Sequence, residues 1–166
     1  MKCIVFSDTH GYIDTVREAL RLNPDAEVVF FLGDGLEDID FIQENYKGVA
    51  WLAVRGNCDR SPVFRDEMVK SIDSITLEGK KIVFTHGNLY GAKAGYGGLI
   101  SLAREEGADI LLFGHTHTPC EIYINEYEKP FYLFNPGAAS GYDAGFGLIQ
   151  LSEGKEPLLS HGKLKR

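Results

Sequence analysis

The chain has 166 residues, of which 44% are hydrophobic and 25% are charged, and its formal net charge is −7. These values are typical of a globular protein, and they argue against a disordered chain or a fibrous repeat. The acidic charge also argues against binding to a nucleic acid duplex, which usually requires a basic surface. We therefore expect a single domain over residues 1–166, with its chemistry held in a local site.

The first apolar run and the cysteines indicate where the protein resides. The run "CIVF" at residues 3–6 is too short for a secretory signal or for a membrane span of ~20 residues, so it predicts a first strand and no membrane attachment. Cys3, Cys58 and Cys120 are an odd number of cysteines without a CxxC pair. This set argues against a disulfide framework or a thiolate zinc site, so a reducing cytoplasm is the expected location.

In the first third of the chain, apolar runs alternate with amphipathic stretches. The runs are rich in β-branched and aromatic residues, which predicts strands that are buried on both faces, at 2–7, 27–32 and 49–54. Helical spacing predicts helices over 14–22 and 36–46. Thr15 and Glu18 have the spacing of a capping box, and Asp14 adds negative charge at the positive end of the first helix. A β-α-β-α-β unit is therefore predicted.

The rest of the chain is richer in predicted strands. The stretch 74–86 predicts a hairpin that turns at Glu78 and Gly79, and residues 98–106 predict a helix that Gly107 ends. Short apolar segments predict further strands, at 109–113, 121–127, 131–135 and 145–152. A polar tail follows. These elements predict a mixed α/β fold with helices outside and sheets inside.

Polar side chains that can bind metals follow the strongest predicted strands. They are Asp8 and His10, Asp34, Asn57 and Asp59, His86, and His115 and His117. In open α/β sheets, ligands bind beyond the carboxyl ends of the strands, so these side chains can converge on one place. Four of the five histidines belong to this set, and only His161 lies elsewhere, in the polar tail.

The number and type of these donors predict a metal centre with two ions. Leaving out Asp59, seven side chains offer nitrogen or oxygen donors, more than the four that close a tetrahedral zinc site. Burying them together without a cation would carry a large desolvation penalty. Such donors accept Mn²⁺, Fe²⁺, Zn²⁺ and similar ions. Two ions about 3.5–4 Å apart that share a carboxylate can activate water for an in-line displacement, and phosphoester hydrolysis is the reaction that most needs this.

An ordered set of motifs resembles that of a known family. The chain contains "DTH" at 8–10, "GD" at 33–34, "GNCD" at 56–59, "THG" at 85–87 and "GHTH" at 114–117. These motifs resemble those of the calcineurin-like metallophosphoesterases, and Cys58 in a short chain resembles their small YfcE-like phosphodiesterase branch. The segment "NPGAAS" at 135–140 is similar to a later segment of the family. The resemblance implies an α/β fold in the form of a four-layer αββα sandwich, with two mixed β-sheets flanked by helices.

The resemblance also implies roles for individual residues. One ion would be held by Asp8, His10 and His117, the other by Asn57, His86 and His115, with Asp34 as the bridge. The catalytic residues would be Asp34, Asn57, His86 and Cys58, and the substrate-binding residues Asn57, Cys58 and Arg55. These roles imply hydrolysis of small phosphodiesters by a hydroxide that bridges two divalent ions. Mn²⁺ is the expected ion, with Ni²⁺, Co²⁺, Fe²⁺ and Zn²⁺ as alternatives.

Three residues near the motifs have more than one interpretation, and Thr116 has a single one. Cys58 stands where the wider family usually has a histidine, and a thiol is a poorer proton donor at neutral pH than imidazolium, so it is either catalytic or a small residue in a tight loop. Phosphodiesters with good leaving groups are therefore the expected substrates. Asp59 orients a metal ligand or caps the turn that follows it in the chain. Arg55 reaches a phosphate or forms a salt bridge. Thr116 is expected to point away, because alternate residues of an extended segment face opposite sides.

A protein-interaction scaffold is the alternative function, because the resemblance extends to the retromer subunit Vps29. That branch has Asp where this chain has Asn57, whereas every predicted metal-ligand position here holds a competent residue. Aromatic residues of the later strands suit strand packing and could form a homodimer contact. They include Tyr123, Tyr127, Phe131 and Tyr132.

Overall fold

Most of the chain consists of short strands. The computed structural model describes residues 1–60, 63–64 and 67–164. Its strands are β1 (Lys2–Phe6), β2 (Val28–Phe31), β3 (Ala50–Ala53), β4 (Val63–Phe64), β5 (Glu67–Met68), β6 (Ile72–Leu77), β7 (Lys80–Thr85), β8 (Ile110–Leu112), β9 (Cys120–Ile124), β10 (Phe131–Asn135), β11 (Gly145–Gln150) and β12 (Leu158–Lys163). Its helices are α1 (Ile13–Leu22), α2 (Leu36–Gln43) and α3 (Gly97–Glu105), with a 3-10 turn at Asn88–Tyr90.

The described strands form two mixed five-stranded sheets and one short two-stranded antiparallel sheet of β4 and β5. The first sheet has the order β12-β11-β1-β2-β3, and the second has the order β6-β7-β8-β10-β9. In each sheet three neighbouring strands are parallel, namely β1, β2 and β3, and β7, β8 and β10. The carboxyl ends of these strands therefore lie at one edge of each sheet, where ligands usually bind.

The two sheets pack face to face, and the helices cover their outer faces. Between the sheets, the ring of Phe30 on β2 lies 5.2 Å from the ring of Phe84 on β7, measured between centroids. The outer face of the first sheet packs against α1 and α2, and that of the second sheet packs against α3. This is the predicted four-layer αββα sandwich. Each fully buried Phe or Leu contributes about 1.5–3 kcal/mol to the stability of such a core.

The predicted elements of the first half are correct in type, but one helix start is wrong. Helix α1 begins at Ile13, so Thr15 is buried within the first helical turn and is not the N-cap. The Thr15–Glu18 capping box is therefore wrong, whereas Asp14 does lie in the first turn, where negative charge is favourable. None of the helices in the described part of the chain is long and apolar enough to cross a membrane.

The predicted polar tail contains a strand. Strand β12 pairs antiparallel with β11, from Gly145 opposite Lys163 to Gln150 opposite Leu158. His161 on this strand stacks on Phe134, with 4.6 Å between ring centroids. It is therefore a packed residue of the sandwich. The last two residues of the tail lie outside the described residues.

Candidate metal centre

The predicted donor side chains are carried by the loops that follow β1, β2, β3, β7 and β8. These loops meet at the edge where the two sheets face each other. Asp8, in the loop after β1, has its Oδ1 3.1 Å from Nε2 of His117 and 4.0 Å from Nε2 of His86. His117 and His86 follow strands of the other sheet. The site is therefore built by both sheets together.

Three of the donors form one compact group. Nε2 of His10 lies 3.8 Å from Oδ1 of Asp8 and 3.5 Å from Nε2 of His117. With the 3.1 Å between Asp8 and His117, these three atoms are close enough to share one metal ion. They are the three residues that the sequence predicts for the first ion.

The remaining donors surround His86. Its Nε2 lies 3.4 Å from Oδ2 of Asp34 and 3.1 Å from Oδ1 of Asn57, and its ring centroid is 5.0 Å from that of His115. Its Nδ1 donates to the main-chain oxygen of Leu32 at 2.8 Å. Because a carbonyl oxygen can only accept, this bond holds the proton on Nδ1 and leaves Nε2 directed at the cluster.

Asp34 lies between the two groups. Its carboxylate belongs to a close triad with Asp8 and His86, and to another with His10 and Cys58. His115 is not in any of the close triads found among the described residues, and it joins the site through its ring contact with His86.

Five of the seven donors have left-handed backbone conformations. The φ values are 56° for Asp8, 45° for His10, 59° for Asp34, 64° for His115 and 60° for His117. Such conformations cost of order 1–3 kcal/mol each in residues other than glycine, and they persist only where the surrounding structure enforces them. The backbone strain of this protein is therefore concentrated at the donor residues.

The segment that carries His115 and His117 is bent, so the predicted extended conformation is wrong. The N–H of Thr116 donates to the oxygen of Gly114 at 2.7 Å. The hydroxyl of Thr116 accepts a bond from Nδ2 of Asn135 at 3.1 Å. Left-handed residues on both sides of Thr116 therefore direct the two imidazoles, and Thr116 ties the loop to the end of β10.

The two oxygens of the buried Asp8 carboxylate have different surroundings. Oδ2 accepts from the hydroxyl of Ser7 at 2.6 Å and from the N–H of His115 at 3.0 Å. Oδ1 is buried without a hydrogen-bond partner. This close packing requires a glycine at 114, because a Cβ there would collide with the Ser7 side chain. A buried carboxylate oxygen without a partner is costly, and a cation at this place would remove the cost, so the donors fit a metal ion.

Asp59 holds together the loops after β2 and β3. Its carboxylate accepts four main-chain N–H groups, from Asp34 (2.8 Å), Gly35 (2.7 Å), Leu36 (2.9 Å) and Gly56 (2.7 Å). Asp59 therefore orients the Asp34 loop, as one of its two interpretations predicts. It also caps the start of α2, which the sequence did not predict. The turn that follows Asp59 in the chain lies partly outside the described residues.

Comparison with known proteins identifies the family. Residues 1–154 match the calcineurin-like phosphoesterase superfamily domain. The chain belongs to this superfamily. Its relatives include the probable metallophosphoesterase YsnB of Bacillus subtilis, 30% identical over 138 residues, which cover 83% of this chain and 75% of YsnB. Phosphodiesterase YfcE of Escherichia coli is 29% identical over 174 residues, covering 90% of this chain and 87% of YfcE.

The fold of this calcineurin-like phosphoesterase is shared more widely. Vacuolar protein sorting 29 from Cryptosporidium parvum superposes with a TM-score of 0.75 over 99% of this chain and 98% of that protein. The two sequences are only 18% identical, so this similarity concerns the fold alone. The family and the fold predicted from the motifs are both confirmed.

Charge states in the cluster follow from burial and from neighbouring groups. Burial raises the pKa of Asp34, but the hydrogen bonds and charge of His86 and the hydrogen bonds of Cys58 together outweigh burial, and the pKa is lowered. Burial lowers the pKa of His86 more than any other single effect, but the hydrogen bond to Asp34, the charges of Asp8 and Asp34 and the bond to Leu32 together outweigh burial, and the pKa is raised. Burial and the charges of His86 and Lys93 lower the pKa of His115. Asp34 is therefore ionised and His115 neutral at pH 7, as metal ligands must be.

A cleft of about 180 Å³ opens beside the cluster. Its lining includes His10, Asp34, Cys58 and Arg60. Arg60 was not predicted as a site residue, although its position directly after the "GNCD" motif places it on the same loop. Arg55 instead donates from Nη2 to the main-chain oxygen of Asp59 at 3.1 Å. The guanidinium of Arg55 therefore braces the loop, and Arg60 is the arginine that lines the cleft.

Proposed function

We propose that this chain is a phosphodiesterase that depends on two divalent metal ions. The observation that carries the proposal is the position of Asp34, whose carboxylate forms close triads with proposed ligands of both ions, Asp8 and His10 for the first and His86 for the second. One ion would be held by Asp8, His10 and His117 and the other by Asn57, His86 and His115, with Asp34 shared. The orphaned buried oxygen of Asp8 supports a cation at this place.

The residues of the chain supply positioning and charge. The bond from His86 to Leu32 keeps Nε2 available as a ligand. Arg60 lines the cleft and would pair with a phosphate oxygen, as guanidinium groups commonly do. Bound in the cluster, two divalent ions would activate water as the nucleophile and stabilise charge on the attacking and leaving oxygens. Hard oxygen donors together with imidazoles suit Mn²⁺, which is the ion we propose.

The proposed substrates are small phosphodiesters with good leaving groups. Cys58 lines the cleft, but the pKa of its thiol is raised, mainly by its hydrogen bond to Asp34 and also by burial and nearby carboxylates. A thiol with a raised pKa is a poor proton donor near pH 7. An aryl alcohol departs without a proton more readily than an alkyl alcohol, so aryl diesters would react faster.

The direct test uses bis-p-nitrophenyl phosphate with added Mn²⁺. Wild-type protein should hydrolyse this substrate. Asp34→Asn should lose both ions and at least about 100-fold in turnover, because even the loss of a residue that only contacts a metal ligand lowers metal affinity or activity by about 10–100-fold. Asp14→Asn is the matched control, because this exposed carboxylate pairs with Arg17 on α1 and lies outside the cluster of donor residues. Retained activity in Asp34→Asn would show that the bridge is misassigned.

A protein-interaction scaffold is the alternative function, and the fold shared with Vps29 supports it. Metal analysis separates the two functions. Wild-type protein that bound no Mn²⁺, Ni²⁺, Co²⁺ or Zn²⁺ and stayed inactive with each of them would favour the scaffold.

We also propose a homodimer in which β9, an edge strand of the second sheet, lies at the contact. Tyr123 on this strand is 50% exposed, and its ring lies 4.7 Å from that of Tyr132. Phe131 is buried and stacks on the half-buried ring of Tyr127, so Phe131 cannot take part in the contact. The aromatic contact surface is therefore smaller than the sequence predicts.

The cytoplasm is the proposed location. Cys3, Cys58 and Cys120 are all free, and Cys58 is exposed. An exposed thiol is exchanged or oxidised in oxidising compartments and persists in a reducing one.

A further inference from the structure

Cys58 forms a third close triad beside the two groups of oxygen and nitrogen donors. Its Sγ, a ring nitrogen of His10 and a carboxylate oxygen of Asp34 all lie within 4.8 Å of one another. The other close triads contain only carboxylates and imidazoles. This triad therefore differs from them by a sulfur donor, and it faces the cleft.

Two hydrogen bonds hold Cys58 in place. The N–H of Cys58 donates to Oδ1 of Asp34 at 2.7 Å, and Nδ2 of Asn57 donates to the sulfur at 3.2 Å. The sulfur is therefore fixed within 4.8 Å of the Asp34 carboxylate and the His10 imidazole, close enough for one cation to contact all three groups.

We propose that Cys58 is a further metal ligand, and that thiophilic divalent ions such as Zn²⁺, Cd²⁺ and Co²⁺ bind to His10, Asp34 and Cys58 together. The inference rests on the proposed function in one respect, because this triad shares His10 and Asp34 with the ligands proposed for the first ion. On binding, the S–H bond breaks, its proton passes to water, and a sulfur–metal bond forms. Mn²⁺ prefers oxygen donors and leaves the thiol protonated.

The composition of the triad suits such ions. Soft thiolate ligands select Zn²⁺ and similar ions over Mn²⁺. One carboxylate and one thiolate neutralise a divalent charge, and a neutral imidazole completes a set of three protein ligands with an open fourth position. An ion held there occupies the cleft that a phosphate would enter, so thiophilic ions should inhibit the Mn²⁺ enzyme.

The experiment follows sulfur coordination directly. Co²⁺ added to metal-free wild-type protein should produce a near-ultraviolet sulfur-to-cobalt charge-transfer band, which Cys58→Ser should lack. The matched control is Cys120→Ser, because Cys120 is the other cysteine with solvent access. In His10→Gln the band should require more Co²⁺. Calorimetry should show Cd²⁺ affinity at least about tenfold weaker in Cys58→Ser, with Mn²⁺ affinity unchanged.

Each contrary outcome identifies what has failed. A wild-type protein that shows no band, a band that survives Cys58→Ser, or a band that is unchanged in His10→Gln would overturn the triad. Equal losses of Cd²⁺ and Mn²⁺ affinity in Cys58→Ser would do the same. Hydrolysis with Mn²⁺ is measured in parallel, so a band that depends on Cys58 in an inactive protein would overturn only the proposed phosphodiesterase.

Discussion

The Asp8 carboxylate illustrates how single contacts prepare this site. Its Oδ2 is held by Ser7 and by the N–H of His115, whereas its Oδ1 is buried without a hydrogen bond, 3.1 Å from Nε2 of His117. The carboxylate therefore cannot rotate without losing two hydrogen bonds. This arrangement directs one defined oxygen at the cluster, and it predicts that Asp8 binds metal through Oδ1 alone.

Replacement of Ser7 by alanine tests this preorganisation. Ser7→Ala removes one of the two bonds to Oδ2, so we expect Mn²⁺ affinity to fall about tenfold, as it does when partners of metal ligands are lost. The free energy of unfolding of the metal-free protein should fall by about 1.5–3 kcal/mol, because the lost bond is made to a buried carboxylate. Calorimetric titration and urea unfolding measure the two effects. Ser74→Ala on the exposed side of β6 is the control, and equal Mn²⁺ affinities in the two variants would contradict the prediction.

At the scale of elements, the end of β10 anchors the loop that carries two of the histidines. Asn135 is fully buried. Its Nδ2 donates to the oxygen of Gly114 at 2.9 Å and to the hydroxyl of Thr116 at 3.1 Å. Its Oδ1 accepts from the N–H of Gly137 at 2.8 Å, and its main-chain oxygen accepts from Nε2 of His161 at 2.7 Å. The missed strand β12 therefore supports the residue that holds the loop.

Asn135→Ala should loosen this loop while leaving the strands paired. Buried groups lose their partners, so the free energy of unfolding should fall by about 1–3 kcal/mol. The N–H groups of Thr116 and Thr118, which bond within the loop, should exchange with solvent faster, and Mn²⁺ affinity should fall at least about tenfold. Hydrogen exchange followed by NMR measures the first effect. The control is Asn45→Ala, at an exposed position. Equal exchange rates at the N–H groups of Thr116 and Thr118 in the two variants would show that Asn135 does not anchor the loop.

At the scale of the whole molecule, loops from both sheets meet at the candidate metal centre. Asp8, Asp34 and Asn57 come from the first sheet, and His86, His115 and His117 come from the second. Metal ions held by both sets would link the sheets at one edge of the sandwich. A ligand that binds only the folded state stabilises it by mass action.

Removal of metal should therefore destabilise the protein as a whole. At a Mn²⁺ concentration 100 times the dissociation constant, the free energy of unfolding should be about 2.7 kcal/mol higher than in chelator. Asp34→Asn should abolish most of this difference, and Asp14→Asn should retain it. Urea unfolding with and without Mn²⁺ is the measurement. Equal midpoints for the wild type in Mn²⁺ and in chelator would show that the ions do not join the sheets.

Several strands and the hairpin turn could be predicted because their signals are local. Glu78 and Gly79 form the turn of the hairpin with φ values of 48° and 74°, as turn residues do. Strand β12 could not be predicted, because its mixed polar and apolar residues give no clear strand pattern and it forms by pairing with β11. The start of α1 at Ile13 was also missed, because a capping-box sequence gives only a local preference for a helix start, and tertiary packing can override that preference.

The sequence by itself determined which donors are present and that each follows a strand, because strand periodicity and residue type are local properties. Only the tertiary structure decided how Asp8 is oriented, which nitrogen of His86 faces the cluster, and which loops Asp59 joins. Those features depend on contacts between residues up to 107 positions apart, such as that of His115 with Asp8. The physical reason is that hydrogen bonds between loops form only after the two sheets have packed and brought their edges together.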